Sequence, residues 1–189
     1  MKKLILLATL TALILPAAAF AHAKVSPPVG LAKTSQVYTL AVPTEKENAT
    51  TTQVEFTPPA GFSIDSFVPS PGWTRKVQQT GSGDSAVITR VTWSGGHVPT
   101  GEDAAFSFLA QPAAAKTYTF GVRQTYSDGS VVDWSGPESS DTPSATIDVV
   151  SSLGGGTSST LAIIALVVGG IGVILGALAL VSGGRRSLA

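Results

Sequence analysis

The chain has 189 residues with 12 basic and 12 acidic side chains, so its formal net charge is zero. There is no Cys, and the lone Met is Met1. Disulfide-stapled and thiolate-metal architectures are excluded, and any metal must be held by nitrogen and oxygen.

The first element in chain order reads as a secretory signal. Lys2 and Lys3 precede an apolar run from Leu4 to Leu15, Pro16 breaks it, and small residues follow to Ala21. Ala19-Phe20-Ala21 puts small residues where a signal peptidase inspects them, so the preferred cut leaves His22 as the first mature residue. Cutting after Ala23, at Ala21-His22-Ala23, also fits the small-x-small rule and would remove His22.

Residues 22–150 form a normal single-domain length. They carry all 12 acidic side chains but only eight of the basic ones, a net of −4. A nucleic-acid or anionic-membrane partner needs a basic footprint, which this segment lacks. Nine segments rich in β-branched and aromatic residues read as strands: Val37–Val42, Thr52–Thr57, Phe62–Val68, Trp73–Gln78, Ala86–Trp93, Ala104–Ala110, Thr117–Tyr126, Val131–Trp134 and Ala145–Val150. Pro27-Pro28, Pro58-Pro59, Pro71-Gly72, Gly95-Gly96 and Pro137 read as loops. The pattern predicts an all-β sandwich of immunoglobulin type. Asp128-Gly129 predicts a hairpin with a two-residue type I′ turn. In that register Tyr126 faces Val131, Gln124 faces Asp133, and Arg123 faces Trp134 in a candidate cation–π pair.

Beyond the domain, residues 151–160 are a Gly/Ser-rich tether. Leu161 to Val181 contains only Leu, Ile, Val, Ala and Gly, and as a helix rises about 32 Å, enough for a bilayer core. Gly172 and Gly176 make a GxxxG pair, a spacing that arises easily by chance in so glycine-rich a span. Arg185 and Arg186 lie in the tail 182–189. By the positive-inside rule they set the C-terminus in the cytoplasm and the domain outside the membrane.

Conventional catalysis finds little support. There is no G-x-S-x-G elbow, and Gly81-Ser82-Gly83 lacks the strand-loop-helix context and the lysine of a phosphate loop. No catalytic residue and no organic cofactor is assigned. His22 and His97 are the two imidazoles. An amino-terminal His22 offers its amine and Nδ1 as a chelate suited to Cu(II), with a carboxylate needed to complete the donor set. Read without that role, His22 is a polar residue beside a cleavage site.

Several blocks carry a resemblance. His22-Ala-Lys-Val-Ser-Pro, Tyr38-Thr-Leu-Ala-Val-Pro-Thr-Glu-Lys46, Thr51-Thr-Gln-Val-Glu55, Pro69-Ser-Pro-Gly-Trp73, Val91-Thr-Trp93 and Gln124 through Gly136 run in order through nearly all of 22–150. Together they resemble the YcnI-like family of bacterial copper-binding domains. The resemblance implies a cupredoxin-like or immunoglobulin-like sandwich holding Cu(II) through a single-histidine brace. Carried over, His22 gives amine and imidazole, Glu55 the carboxylate (with Glu45 its rival), and Trp134 the tryptophan against the metal. Arg123, Gln124 and Asp133 are outer partners.

Each residue also has a plainer reading: Glu55 as a solvated strand face, Trp73 and Trp93 as packing aromatics, His97 as an exposed loop residue. Three functions follow. The first is a membrane-anchored copper protein, not an enzyme, serving a copper transporter or cuproenzyme. The second is a copper oxidase or monooxygenase with His97 as second nitrogen. The third is an adhesion module without metal.

Overall fold

The structure, a computed structural model, describes residues 22–154 and 159–183. The expected signal peptide, residues 1–21, and the Arg185-Arg186 pair lie outside the described residues. The β domain closes at Ser151, and a second unit begins at Ser152.

Eleven strands build the domain: β1 Lys24–Ser26, β2 Val29–Leu31, β3 Gln36–Pro43, β4 Thr51–Thr57, β5 Phe62–Phe67, β6 Thr74–Thr80, β7 Val87–Val98, β8 Asp103–Pro112, β9 Thr117–Tyr126, β10 Val131–Trp134 and β11 Ala145–Val150. One sheet has the order β1-β3-β8-β5. The other runs β2-β11-β9-β4-β7-β6, with β10 beside β9. The result is an immunoglobulin-like β-sandwich.

Period-two patterning builds the core. Tyr118, Phe120, Val122, Gln124 and Tyr126 alternate inward along β9, and Ala104, Phe106, Phe108 and Ala110 along β8, all buried. Phe56 packs between Phe108 and Phe120, each with ring centroids 5.3 Å away. Trp93 stacks on Phe106 at 4.2 Å, and Trp73 meets the same ring edge-on at 4.9 Å. Trp73 and Trp93 are therefore packing aromatics, as their plainer reading held.

Sequence reasoning missed β1 and β2. Each is three residues long, and Pro27-Pro28 separates them, so no alternating run is long enough to register. The chain uses the break to change sheets: β1 pairs with β3, and β2 lies parallel to β11. Gly95-Gly96 and His97, expected in a loop, lie inside β7. Between the pairs Thr51↔Val98 and Gln53↔Ser94 the β4–β7 register shifts, and these residues form the resulting bulge. A side chain at Gly96 would meet Trp73 ring atoms at 2.1 Å, so glycine is needed there for the indole to seat.

The hairpin register also differs from expectation. Val131 pairs with Thr125, Val132 with Gln124, Asp133 with Arg123 and Trp134 with Val122. Gly129 N–H donates to the Tyr126 carbonyl at 3.0 Å, and Tyr126 N–H to the Ser130 carbonyl at 2.9 Å. The loop is thus Ser127-Asp128-Gly129, with Gly129 at φ 83° and Asp128 outside the left-handed region. This is a three-residue hairpin with glycine closing it, because a type I′ turn would need positive φ at two successive residues. The extra residue turns Trp134 inward, and no cation–π contact joins it to the exposed Arg123.

The second unit is the helix α1, Ser159–Gly183. Its stretch Ala162–Ala179 is long and apolar enough to cross a membrane, and those side chains are exposed.

Candidate metal centre

His22 immediately precedes the first buried residue of the domain, Ala23 (3% exposed), and β1 follows in register with β3 through Lys24↔Ala41. That pairing fixes the start of the β domain at a sheet edge. The half-buried His22 lines a cleft of about 730 Å³ with Lys24, Asp148, Gly136, Pro143 and Glu138. Asp148 accepts a hydrogen bond from Thr117 Oγ1 at 2.6 Å.

Glu55 stands elsewhere. It alternates outward between the buried Val54 and Phe56, and lines a separate cleft of about 310 Å³ with Arg90, Arg123, Asp133 and Ser135. The register places Lys76, Thr92, Glu55, Arg123 and Asp133 in one row across four strands and β10. Arg90 Nη1 lies 3.7 Å from Glu55 Oε2, and Gln53 Nε2 donates to Glu55 Oε1 at 3.3 Å. Arg123 and Asp133 form a second pair at 3.8 Å. The two clefts adjoin along the chain, since the consecutive residues Ser135 and Gly136 line one each.

Trp134 is 1% exposed and so sits in the core. Its indole N–H donates to Gln124 Oε1 at 3.0 Å. Gln124, fully buried, donates through Nε2 to the Pro43 carbonyl at 2.8 Å and to Thr51 Oγ1 at 2.6 Å. Thr51 in turn shares a 2.6 Å hydrogen bond with Thr44. Sequence reasoning placed Gln124 near the metal. Its role here is to satisfy three polar groups inside an apolar sandwich, as burial of such groups demands. The link reaches Pro43 at the end of β3, the strand that pairs with β1.

Glu45 is exposed on the loop after β3. Its neighbour Lys46 donates to Ser130 Oγ at 2.8 Å and pairs with Asp128, tying that loop to the hairpin tip. Lys46, through a side-chain hydrogen bond, and then Ser130 hold the Asp128 carboxyl well below the usual carboxylate range. His97 is exposed on the β7 bulge. Among the described residues no group of three His, Asp or Glu side chains stands close enough to hold a metal. His22, Glu138 and Asp148 line one cleft without standing as a three-ligand site. A free His22 amine adds a second nitrogen only once the peptide bond before it is cut. Imidazole nitrogen and carboxylate oxygen suit Cu(II), and the domain has no sulfur to favour Cu(I).

The profile of the family described as a domain of unknown function (DUF1775) matches residues 22–149, beginning at His22 itself. The copper-binding protein CutI of Bacillus subtilis (strain 168) is 36% identical over 138 residues, which are 71% of this chain and 65% of CutI. The chain thus spans just under two thirds of that relative's length. A solved structure of an uncharacterized Nocardia farcinica protein with an immunoglobulin-like fold superposes with TM-score 0.58 at 31% identity, covering 68% of this chain and 98% of that one.

Proposed function

Because the chain belongs to the DUF1775 family, the YcnI-like domains, we propose that it binds Cu(II) and serves copper trafficking or storage. The observation that carries this reading is the 36% identity to a protein named for copper binding. The family match starting at the one histidine that signal cleavage would expose supports the mode of binding.

In this reading residues 1–21 are removed, 22–150 face outward, 151–160 tether the domain, 161–181 span the membrane and 182–189 lie inside. The His22 amine and Nδ1 chelate the ion. Glu55 is the carboxylate that the family resemblance assigns, and recruiting it means releasing Arg90 and Gln53. Trp134 acts by packing rather than through its nitrogen, since its N–H is committed to Gln124. Copper is cargo here rather than a catalytic group: the donor set favours one oxidation state, which suits holding and handing over an ion. A copper transporter or cuproenzyme is the partner such cargo calls for.

The test is Cu(II) electron paramagnetic resonance on the mature chain with a free His22 amine, repeated with one residue added ahead of it. A one-to-one, nitrogen-rich signal that collapses in the extended form is the expected result. Equal binding by both forms, or by neither, overturns the brace and leaves the metal-free interaction module as the better reading.

A further inference from the structure

We propose that the mouth between two free sheet margins, where β5 passes into β6, docks an acidic polypeptide segment of a partner protein. The surface is independent of the copper reading, since none of its lining residues belongs to the His22 cleft or the Glu55 cleft.

Sheet order creates the place. β5 ends one sheet, β6 ends the other, and residues 68–73 bridge the two margins. A cleft of about 470 Å³ opens there, and Phe67, Pro69, Pro71, Trp73 and Arg75 line it. Phe67 and Trp73 are half-buried, while Val68, Pro69 and Pro71 are exposed. A scattered apolar residue needs no explanation, but a cluster of this kind within one short stretch marks a contact surface.

Arg75 gives that surface its sign. It pairs with Trp93 in the β6–β7 register, which sets its side chain on the same sheet face as that buried indole. No strand covers β6 on its outer side. The guanidinium instead lies over the Phe67 ring, 4.3 Å from its centroid, and stays exposed. Arg75 and Lys76 are the only charged residues between Asp65 and Asp84, and among the described residues no ion pair engages either. The domain as a whole is acidic, so this is a local basic spot beside an apolar cleft. Charge complementarity therefore selects a carboxylate, and the stacked, planar guanidinium is already oriented to receive it.

The surface is also ordered in advance. Trp73 N–H donates to the Ser70 carbonyl at 3.1 Å, closing a turn with Pro71 and Gly72 at its centre and Gly72 at φ 81°. Val68 N–H donates to the Ser107 carbonyl at 2.9 Å, and the Trp73 ring is braced edge-on against Phe106. A braced indole and a stacked arginine lose little freedom on binding, and these two residue types dominate contact energy in protein interfaces. The segment that fits places a carboxylate on Arg75 and an adjacent proline or aliphatic side chain against Pro71 and Trp73.

The probe is a displayed library of random twelve-residue peptides, selected on the mature chain in detergent. The most enriched peptide is then synthesised and titrated against wild type, Arg75→Gln and Lys116→Gln. Lys116 is another ring-stacked cation, over Tyr118, and lies outside the cleft. Unchanged unfolding midpoints verify the fold of both variants. Trp93 and Trp134 are each 1% exposed, so acrylamide quenching of fluorescence reads Trp73. The expected peptides carry Asp or Glu beside Leu, Ile or Pro and shield Trp73 from the quencher. They bind Arg75→Gln at least about tenfold more weakly than wild type, and Lys116→Gln as wild type. No enriched peptide, enriched peptides without acids, equal binding to Arg75→Gln, or an unshielded Trp73 would each overturn the proposal. Self-association of the wild-type chain that Arg75→Gln abolishes assigns the cleft to a second copy, and overturns it too.

Discussion

Replacing Gln124 with leucine is the sharpest probe of how this sandwich tolerates polar groups in its centre. The side chain is fully buried and makes three hydrogen bonds, to Pro43 O, Thr51 Oγ1 and Trp134 Nε1. Leucine fills a similar volume but can neither donate nor accept. Thr51 keeps Thr44 as a partner. The Trp134 N–H is left with none, and the Pro43 carbonyl loses a buried donor. A buried group stripped of its partner costs about 1–3 kcal/mol, so the two together cost roughly 2–6 kcal/mol. Against a total stability of about 5–15 kcal/mol, that is a large fraction. For a domain of this size each kcal/mol lowers the melting temperature by roughly 3–5 °C. Urea and thermal unfolding of residues 22–151, followed by far-ultraviolet circular dichroism, give the number. Combining Gln124→Leu with Trp134→Phe removes the stranded donor. The double variant then loses less than the two single losses added together. A single-variant loss below about 1 kcal/mol, or strict additivity, refutes the argument that the network is sealed from water.

Two further outcomes follow from other contacts. Lys46 and Ser130 depress the Asp128 carboxyl, so its folded value lies below its unfolded one of about 4. The contribution is present above that unfolded value and is lost as pH falls through the folded one. Asp128→Asn should therefore flatten the decline of the urea midpoint between about pH 5 and 2, and an unchanged decline assigns it to other acids. Gly96→Ala puts a methyl group into the Trp73 ring, which lies 2.1 Å from where the new carbon would sit. Overpacking of this kind costs about 1–3 kcal/mol and should expose the indole, shifting its fluorescence to the red. A blue or unshifted spectrum would mean that Trp73 does not seat on Gly96.

Strands β3, β8, β9 and β11 are legible because each buries alternate residues, and alternation survives without knowing the partner strand. β1 and β2 are not, since three residues on either side of Pro27-Pro28 hold too few alternations to stand out. The hairpin shows how one residue decides a surface. With a two-residue loop Trp134 would share the outward face of Arg123. With three it shares the inward face of Val122. Asp-Gly marks the turn but not its length, because the three-residue form also uses glycine at the left-handed position. His22 could be singled out from the signal alone. The cleft that His22 lines could not, since it depends on β1 lying next to a loop more than 100 positions away in sequence. Glu55 looked like a ligand by resemblance and like a strand face by alternation, and the row from Lys76 to Asp133 accounts for the second aspect.

The margins of the two sheets bear on how copies of this domain behave in a crowd. The outermost strands β1 and β2 are three residues each, too brief to template a neighbour's backbone. The other two margins are longer but broken. Asp65 is the extra residue between Ile64 and Ser66 in β5, and the β6–β7 register slips between Gln78 and Gln79. β6 also carries Arg75 and Lys76, both exposed. Truncation, a bulge or charge thus blunts these four margins, and these are the devices that keep sheets from zipping edge to edge. Removing the extra residue Asp65 from β5 would give that edge a continuous ladder and make it a better template for a neighbour's strand.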